Sequence, residues 1–321
     1  MIVTWRFFRP CAFCAATVGF MCSLVACSTA PVDQVKYFSQ AVSSVDTVGQ
    51  PLIDDLATAE RSQGQRAAVR RSKTSATDAD AACLVRWMPV SNSVGFMQGF
   101  CPADSAYYSL IGDPPATKSL RAALQLLGDF AGVLSALTQN TNIDAAQGQI
   151  DTLVGNFGAL ASIVSGTALP LGAAVTALKP IVTQLAEARN AEEARRAIID
   201  GKDGVSTLIS GLRTSTPAVF NTLTEESTGR LRSREVAADP ALAAPDLRQI
   251  DAYRVTVSNF VVMLGKLQDA WNLTVKAAES PENPITLAAL AERSGELKAD
   301  AEAARRAFSI LRTGGTMATT Q

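Results

Sequence analysis

The chain contains no histidine. That absence excludes Ser/His/Asp triads, Cys/His dyads, HExxH zinc sites, a proximal haem histidine and phospho-histidine relays. Aromatic residues are scarce too, at 6% of the sequence, while Ala, Leu and Val abound; this suits closely packed helices rather than a sheet sandwich. An excess of either charge is also missing. With 29 basic and 30 acidic residues in 321, the chain sets up no polyelectrolyte field, and no nucleic-acid partner is expected. Loops of the GxxxxGK[ST] or GxGxxG kind, GxSxG elbows and SxxK pairs do not occur. No catalytic residue, cofactor-binding residue or metal ligand is therefore assigned, and the chain is expected not to be an enzyme.

What is present begins at the N-terminus. Residues 1 to 27 read MIVTWRFFRPCAFCAATVGFMCSLVAC, with Arg6 and Arg9 ahead of an uncharged run from Pro10 to Ala26, the layout of a signal peptide over 1–26. The run is shorter than the roughly 20 residues that a spanning helix prefers, and polar Ser28 and Thr29 follow it. Its end, Leu24-Val25-Ala26-Cys27, resembles the lipobox of bacterial lipoproteins. The resemblance covers residues 1 to 28. It implies a diacylglyceryl group on the Cys27 sulfur, cleavage just before Cys27, acylation of the freed amine (a palmitate) and a lipidated tether over 27–34. Ser28, in place of Asp, implies delivery to the outer membrane with the body facing the periplasm. An uncleaved anchor and an ordinary secretory signal are the alternatives. Each buried methylene stabilises by about 0.8 kcal/mol, so two or three acyl chains hold the chain at a bilayer and the body needs no span of its own.

The cysteines stand at 11, 14, 22, 27, 83 and 101. Cleavage discards the first three and lipidation consumes Cys27, which leaves Cys83 and Cys101 in the exported body. In an oxidising periplasm such a pair, spaced far beyond CxxC, is expected to form a disulfide; two unconnected buried thiols are the alternative.

The expected fold class is all-α: an antiparallel bundle of long helices with a small β-hairpin insertion at 83–101. An N-terminal helical segment is expected over 35–82, with a break or kink near Pro51 and a polar stretch, 60 to 82, that frays or loops. Residues 83–116 form an aromatic-rich element turning at Ser91-Asn92-Ser93. The bundle proper is placed at 117–312, because apolar residues there recur at alternating spacings of four and three: Leu120, Leu124, Leu127, Ala131 and Leu134; Ile143, Ala146, Ile150, Leu153, Phe157, Leu160 and Val164; Ile250, Tyr253, Val257, Phe260, Leu264, Leu267 and Trp271; Leu287, Leu290, Ser294, Leu297, Ala301, Ala304, Phe308 and Leu311. Pro180 and Pro217 predict a kink and an interruption, 225–245 an exposed linker, and 313–321 a disordered tail. Asp246 and Asn283-Pro284 are expected to start helices, and Gly201 and Gly314 to stop them.

Several groups invite chemistry. The doublets Asp54-Asp55, Glu192-Glu193 and Glu225-Glu226, with Asp78 and Asp80, read as solvated surface, since neighbours on a helix point apart. Residues 200–204, Asp-Gly-Lys-Asp-Gly, lack the alternating oxygens of a calcium loop and read as a turn. Arg66, Arg70, Arg71 and Lys73 suit either a solvated helix end or contact with anionic headgroups or cell-wall polymer. Trp87, Phe96, Phe100, Tyr107 and Tyr108 form a partner-binding patch if exposed and a small seating core if buried; burial is expected. No charge lies between Asp151 and Lys179, and the 152–182 segment loosely resembles the hidden hairpin of α-helical pore-forming toxins. Its alternative is the surrounded helix pair of a bundle. The function expected is that of an outer-membrane-anchored periplasmic lipoprotein without enzymatic activity, binding an envelope protein or cell-wall partner; a membrane-active protein inserting 152–182 is the second reading.

Overall fold

The computed structural model describes residues 31–74, 86–90, 93–97, 101–139, 143–164, 169–233, 239–280 and 287–316. The elements are α1 (Val32–Thr74), β1 (Arg86–Val90), β2 (Ser93–Met97), a 3-10 turn (Pro102–Asp104), α2 (Ser105–Tyr108), α3 (Pro115–Thr138), α4 (Ile143–Val164), α5 (Gly172–Glu187), α6 (Ala191–Asp200), α7 (Lys202–Leu231), α8 (Pro240–Glu279) and α9 (Leu287–Thr316). The fold is all-α, a helical bundle. Consecutive helices α3 and α4, and α7 and α8, pack side by side across short connections and so run antiparallel. β1 and β2 pair antiparallel, Arg86 opposite Met97 and Val90 opposite Ser93. Two five-residue strands are too small a unit to set the class of the fold.

The helix α1 organises the bundle. Its 43 residues span about 65 Å, and α3, α7, α8 and α9 all pack against it. The stripe Val35, Phe38, Val42, Val45, Leu52, Ile53 and Leu56 is buried along it. The periodic residues of α3 are buried from Leu120 to Leu134, and those of α8 from Val257 to Trp271. At the heart of the contact Phe38, Phe130 and Trp271 bring three helices together. The Phe38 and Trp271 rings lie 5.1 Å apart, and Phe130 meets Trp271 edge-on at 5.6 Å. The indole Nε1 donates to the Lys202 carbonyl at 3.1 Å, so the fully buried ring carries no orphaned donor. α9 shows the narrowest stripe: Leu290, Leu297, Ala301 and Ala304 are buried while most of the rest of its described residues face solvent.

Four prolines sit inside helices rather than ending them: Pro51, Pro180, Pro217 and Pro245. α1 runs through Pro51 and on to Thr74, so of the break or kink expected there the break does not occur, and residues 60–74 of the stretch expected to fray or loop are helix. At Pro217 the physical reason is visible. Proline has no N–H for the Arg213 carbonyl, and the Thr216 hydroxyl donates to that oxygen at 2.7 Å instead, while Ser215 Oγ donates to Gly211 O at 2.8 Å. α5 runs through Pro180, and the segment 171–199, expected as one kinked helix, is divided at Ala188–Asn190. There Asn190 caps α6 by accepting from Glu193 N at 2.9 Å, and Glu193 reaches back to accept from Arg189 N.

The expected linker at 225–245 is mostly helix. α7 continues to Leu231 and α8 starts at Pro240, capped by Asp239, whose Oδ1 accepts from Ala241 N at 2.8 Å. Asp246 is therefore no cap; it is buried inside α8 and receives Arg230 of α7 through Nε at 2.9 Å and Nη2 at 2.5 Å. This two-pronged pair ties the helix ends that charge and proline content alone made look exposed. Gly201 lies in the α6–α7 turn as expected, whereas α9 passes through both Gly314 and Gly315 to Thr316, against a cost of about 1 kcal/mol for each glycine. Asn283 and Pro284 lie outside the described residues.

Candidate functional site

An opening of about 900 Å³ lies between the C-terminal half of α1 and that of α7. Gln63 and Arg66 line it from α1; Glu225, Glu226 and Arg230 from α7, with Arg232 just beyond. Helical spacing explains the set. Glu226 and Arg230 are four apart on α7 and pair at 2.6 Å, and Gln63 and Arg66 share one side of α1. Arg66 Nη1 lies 3.8 Å from Glu226 and Nη2 4.0 Å from Glu225, and Gln63 Nε2 donates to Glu225. The hydrogen bonds that Arg230 donates to Asp246, helped by Glu226, raise the Arg230 pKa above its ordinary value in spite of partial burial. Both cleft carboxylates thus face guanidinium or amide donors. The arrangement is a surface of alternating charge.

A second cluster gathers at the start of α3. The Glu60 carboxylate, buried on α1, accepts from the backbone N–H of Ala116 and of Thr117, both at 2.9 Å, and from the Thr117 hydroxyl at 2.8 Å. Pro114, the residue at the cap position, supplies no side-chain acceptor, so a side chain from another helix does what an N-cap does. Beside it Arg121 donates to Asp113 at 2.6 Å, to Asp54 at 2.9 Å and to Gln50. Burial lowers the Arg121 pKa, and the hydrogen bonds and charges of Asp113 and Asp54 more than reverse that, leaving it raised. Tyr107 lies over Gly64: a Cβ on that glycine would stand 2.2 Å from the tyrosine ring, so the α2 segment seats on α1 only because residue 64 has no side chain.

The residues singled out from sequence are scattered rather than convergent. Cys27 and Cys83 lie outside the described residues. Cys101 is buried and disulfide-bonded. Of the basic group, Arg66 lines the cleft; the side chains of Arg70, Arg71 and Lys73 lie outside the described residues, as do Asp78, Asp80 and the side chains of Trp87, Phe96 and Phe100. Tyr107 is half-buried and Tyr108 is exposed. Glu192 pairs with Arg195 at 3.0 Å; of the expected 200–204 turn only Gly201 lies between helices, Asp200 ending α6 and Lys202 to Gly204 opening α7. No group of three potential metal ligands occurs among the described residues. Sequence reasoning missed Glu60, whose role depends on a partner far along the chain. It also missed the Leu110-Ile111 pair, which was legible as two aliphatics enclosed by turn residues.

The 152–182 segment is neither surrounded nor free. Leu153, Leu160, Leu171, Leu178 and Ile181 are buried, while Thr152, Gly155, Gly158, Ala159, Ser162, Ala173 and Thr176 face solvent. α5 meets α7 backbone to backbone at Gly204, where an added Cβ would stand 2.9 Å from the Ala177 carbonyl oxygen. By length and composition the one described helix able to cross a membrane is α3, and 61% of its most apolar window is buried in the protein.

Comparison with known protein families, with curated proteins and with solved structures finds no match.

Proposed function

We propose that the chain is a lipoprotein of the bacterial envelope, anchored in the outer membrane by acyl chains on Cys27, whose periplasmic helical body works without catalysis as a binding or scaffolding unit. The observation that carries the reading is the order of signals at the N-terminus: Arg6 and Arg9, the apolar run, Leu24-Val25-Ala26-Cys27, then only Ser28 to Pro31 before α1 begins at Val32. Those four residues reach about 14 Å at most, so acylation would hold the start of α1 close to the headgroups. The supporting observation for binding is the mixed-charge cleft between α1 and α7, which suits an envelope protein or cell-wall polymer bearing both signs. The hairpin of 83–101 belongs to this proposal as an insertion stapled by Cys83 and Cys101, followed by the α2 segment that seats on α1 through Tyr107 and Gly64. No observation favours insertion of 152–182, which would have to pull Leu160, Leu171 and Leu178 out of the core.

The test is fractionation. The lipoprotein reading expects globomycin to accumulate an uncleaved form and Cys27→Ser to release the mature body from membranes. An unchanged pattern in both would overturn it. For the cleft, Arg66→Glu should weaken capture of envelope crosslinking partners several-fold while the circular dichroism stays helical; unchanged capture would move the binding surface elsewhere.

A further inference from the structure

The helix α8 has one buried side and one open side. Val257, Phe260, Leu264, Leu267 and Trp271 are buried, and on the opposite side Arg248, Val255, Val262 and Asp269 are all exposed, Val255 by 47% and Val262 by 56%. These four are spaced by seven, so they form one row that drifts only about 20° per step and runs about 32 Å along α8, beyond Pro245. Ser258, exposed between the two valines, and Gly265, where an added Cβ meets nothing within 4 Å, border the row with little bulk. The flanking charges are neutralised. Towards α7, Arg254 pairs with Asp251 and lies 5.9 Å from the centre of the Phe220 ring; towards α9, Lys266 pairs with Asp300. Among the described residues no ion pair holds Arg248, Asp269 or the exposed Lys276.

We infer that this row is the seam of a symmetric dimer, in which α8 of a second copy of the chain lies antiparallel on it. The order of the row carries the argument. Base, valine, valine, acid reads from the other end as acid, valine, valine, base. A two-fold axis beside Ser258 sets Val255 against Val262 of the copy and Arg248 against Asp269 of the copy, each pair occurring twice. The other charges agree in the same register. Asp251 comes level with Lys266 of the copy, and Lys276 comes level with residue 241, two residues from Asp239, the exposed cap of α8. Neighbouring registers are worse: slid by seven residues either way, the row sets a valine against Arg248 or Asp269, and one of the two slides brings Arg248 level with Lys276. A parallel copy in register would set every charge against its like. An unrelated helix would need a matching order of its own, whereas a second copy matches by symmetry. The overlap, from about residue 241 to about residue 276, is a strip roughly 50 Å long and about 10 Å wide, or roughly 500 Å² on each partner. That size suits a weak, reversible association with a Kd on the order of 10–100 µM. Nothing in the inference depends on acylation of Cys27.

The test uses the chain from Ser28 onward, which keeps every described residue, followed by sedimentation velocity from about 5 to about 500 µM. The weight-average mass should rise from monomer towards dimer; a monomer throughout the range overturns the seam. Charge reversal then reads its geometry. Arg248→Glu alone and Asp269→Arg alone should each raise Kd by about fivefold or more, since each change acts at both ends of the seam. The two together should return Kd to within about twofold of the parent, because unlike charges face each other again. In one protomer the two positions stand about 32 Å apart, so only a second chain lets one change compensate the other. Single changes without effect overturn the inference, and so does a double change that fails to recover while the circular dichroism stays helical. Ser258→Cys, beside the axis, should oxidise to a linked dimer about tenfold or more faster than Thr176→Cys, also exposed, on α5; equal rates overturn the seam.

Discussion

The helix α3 and the α4–α5 pair are both apolar, and their surroundings differ. α3 carries Lys118, Arg121 and Asp129, yet it packs on α1 and α4 with Leu120, Leu124, Leu127, Phe130 and Leu134 all buried. The α4–α5 pair carries no charge between Asp151 and Lys179, yet it lies at the edge of the bundle with mostly glycine, alanine, serine and threonine, and one larger aliphatic, Val154, turned to water. Absence of charge is therefore a poor guide to depth. What places a helix centrally is the size of the residues on its inward stripe and the number of helices that receive them. Small outward residues need no charge to be soluble, because each exposes little apolar area.

The sharpest way to test this contrast is to truncate one phenylalanine on each side of it. Phe130→Ala, beside Trp271 and Phe38, should cost about 3–5 kcal/mol in urea unfolding of the mature body, and Phe157→Ala, half-buried on α4, about half of that. Equal costs would erase the distinction between centre and edge. Next comes the start of α3. Glu60→Ala leaves two backbone N–H groups and the Thr117 hydroxyl without their acceptor, for an expected loss of about 2–3 kcal/mol, and amide exchange should accelerate first at Ala116 and Thr117. On α7, the seat of α5, Thr216→Val strands the Arg213 carbonyl beside Pro217 and should cost about 1 kcal/mol. The smallest effect has the opposite sign: Gly155→Ala and Gly158→Ala, where an added Cβ meets nothing within 4 Å, should each raise stability by roughly 0.5–1 kcal/mol, as an outward helical face requires. A drop in stability at those glycines would mean that the face is covered.

Much of the architecture was legible because alternating four- and three-residue spacing survives any change of surroundings. Leu264, Leu267 and Trp271 on α8, like Leu297, Ala301 and Ala304 on α9, are buried as their periodicity requires. Helix ends and breaks were harder to read, and for a consistent reason. Pro217 breaks nothing because a neighbouring hydroxyl replaces the missing donor, and 225–245 is no open linker because Arg230 finds Asp246 across the turn. Glu60 caps a helix that starts more than fifty residues later. Each depends on a partner that local propensity does not contain. The charged cleft was half legible: Arg66 and the Glu225-Glu226 doublet were noticed separately, and only packing of α1 on α7 brings them together.

All of this describes a body, and the account places that body at a membrane through a single sulfur. Mass spectrometry of the N-terminal peptide from chain purified out of native envelopes tests the claim most directly. The account predicts a peptide that begins at residue 27 and carries diacylglyceryl and amide-linked acyl mass on Cys27. An intact Met1 terminus, or an unmodified thiol at that position, would contradict it.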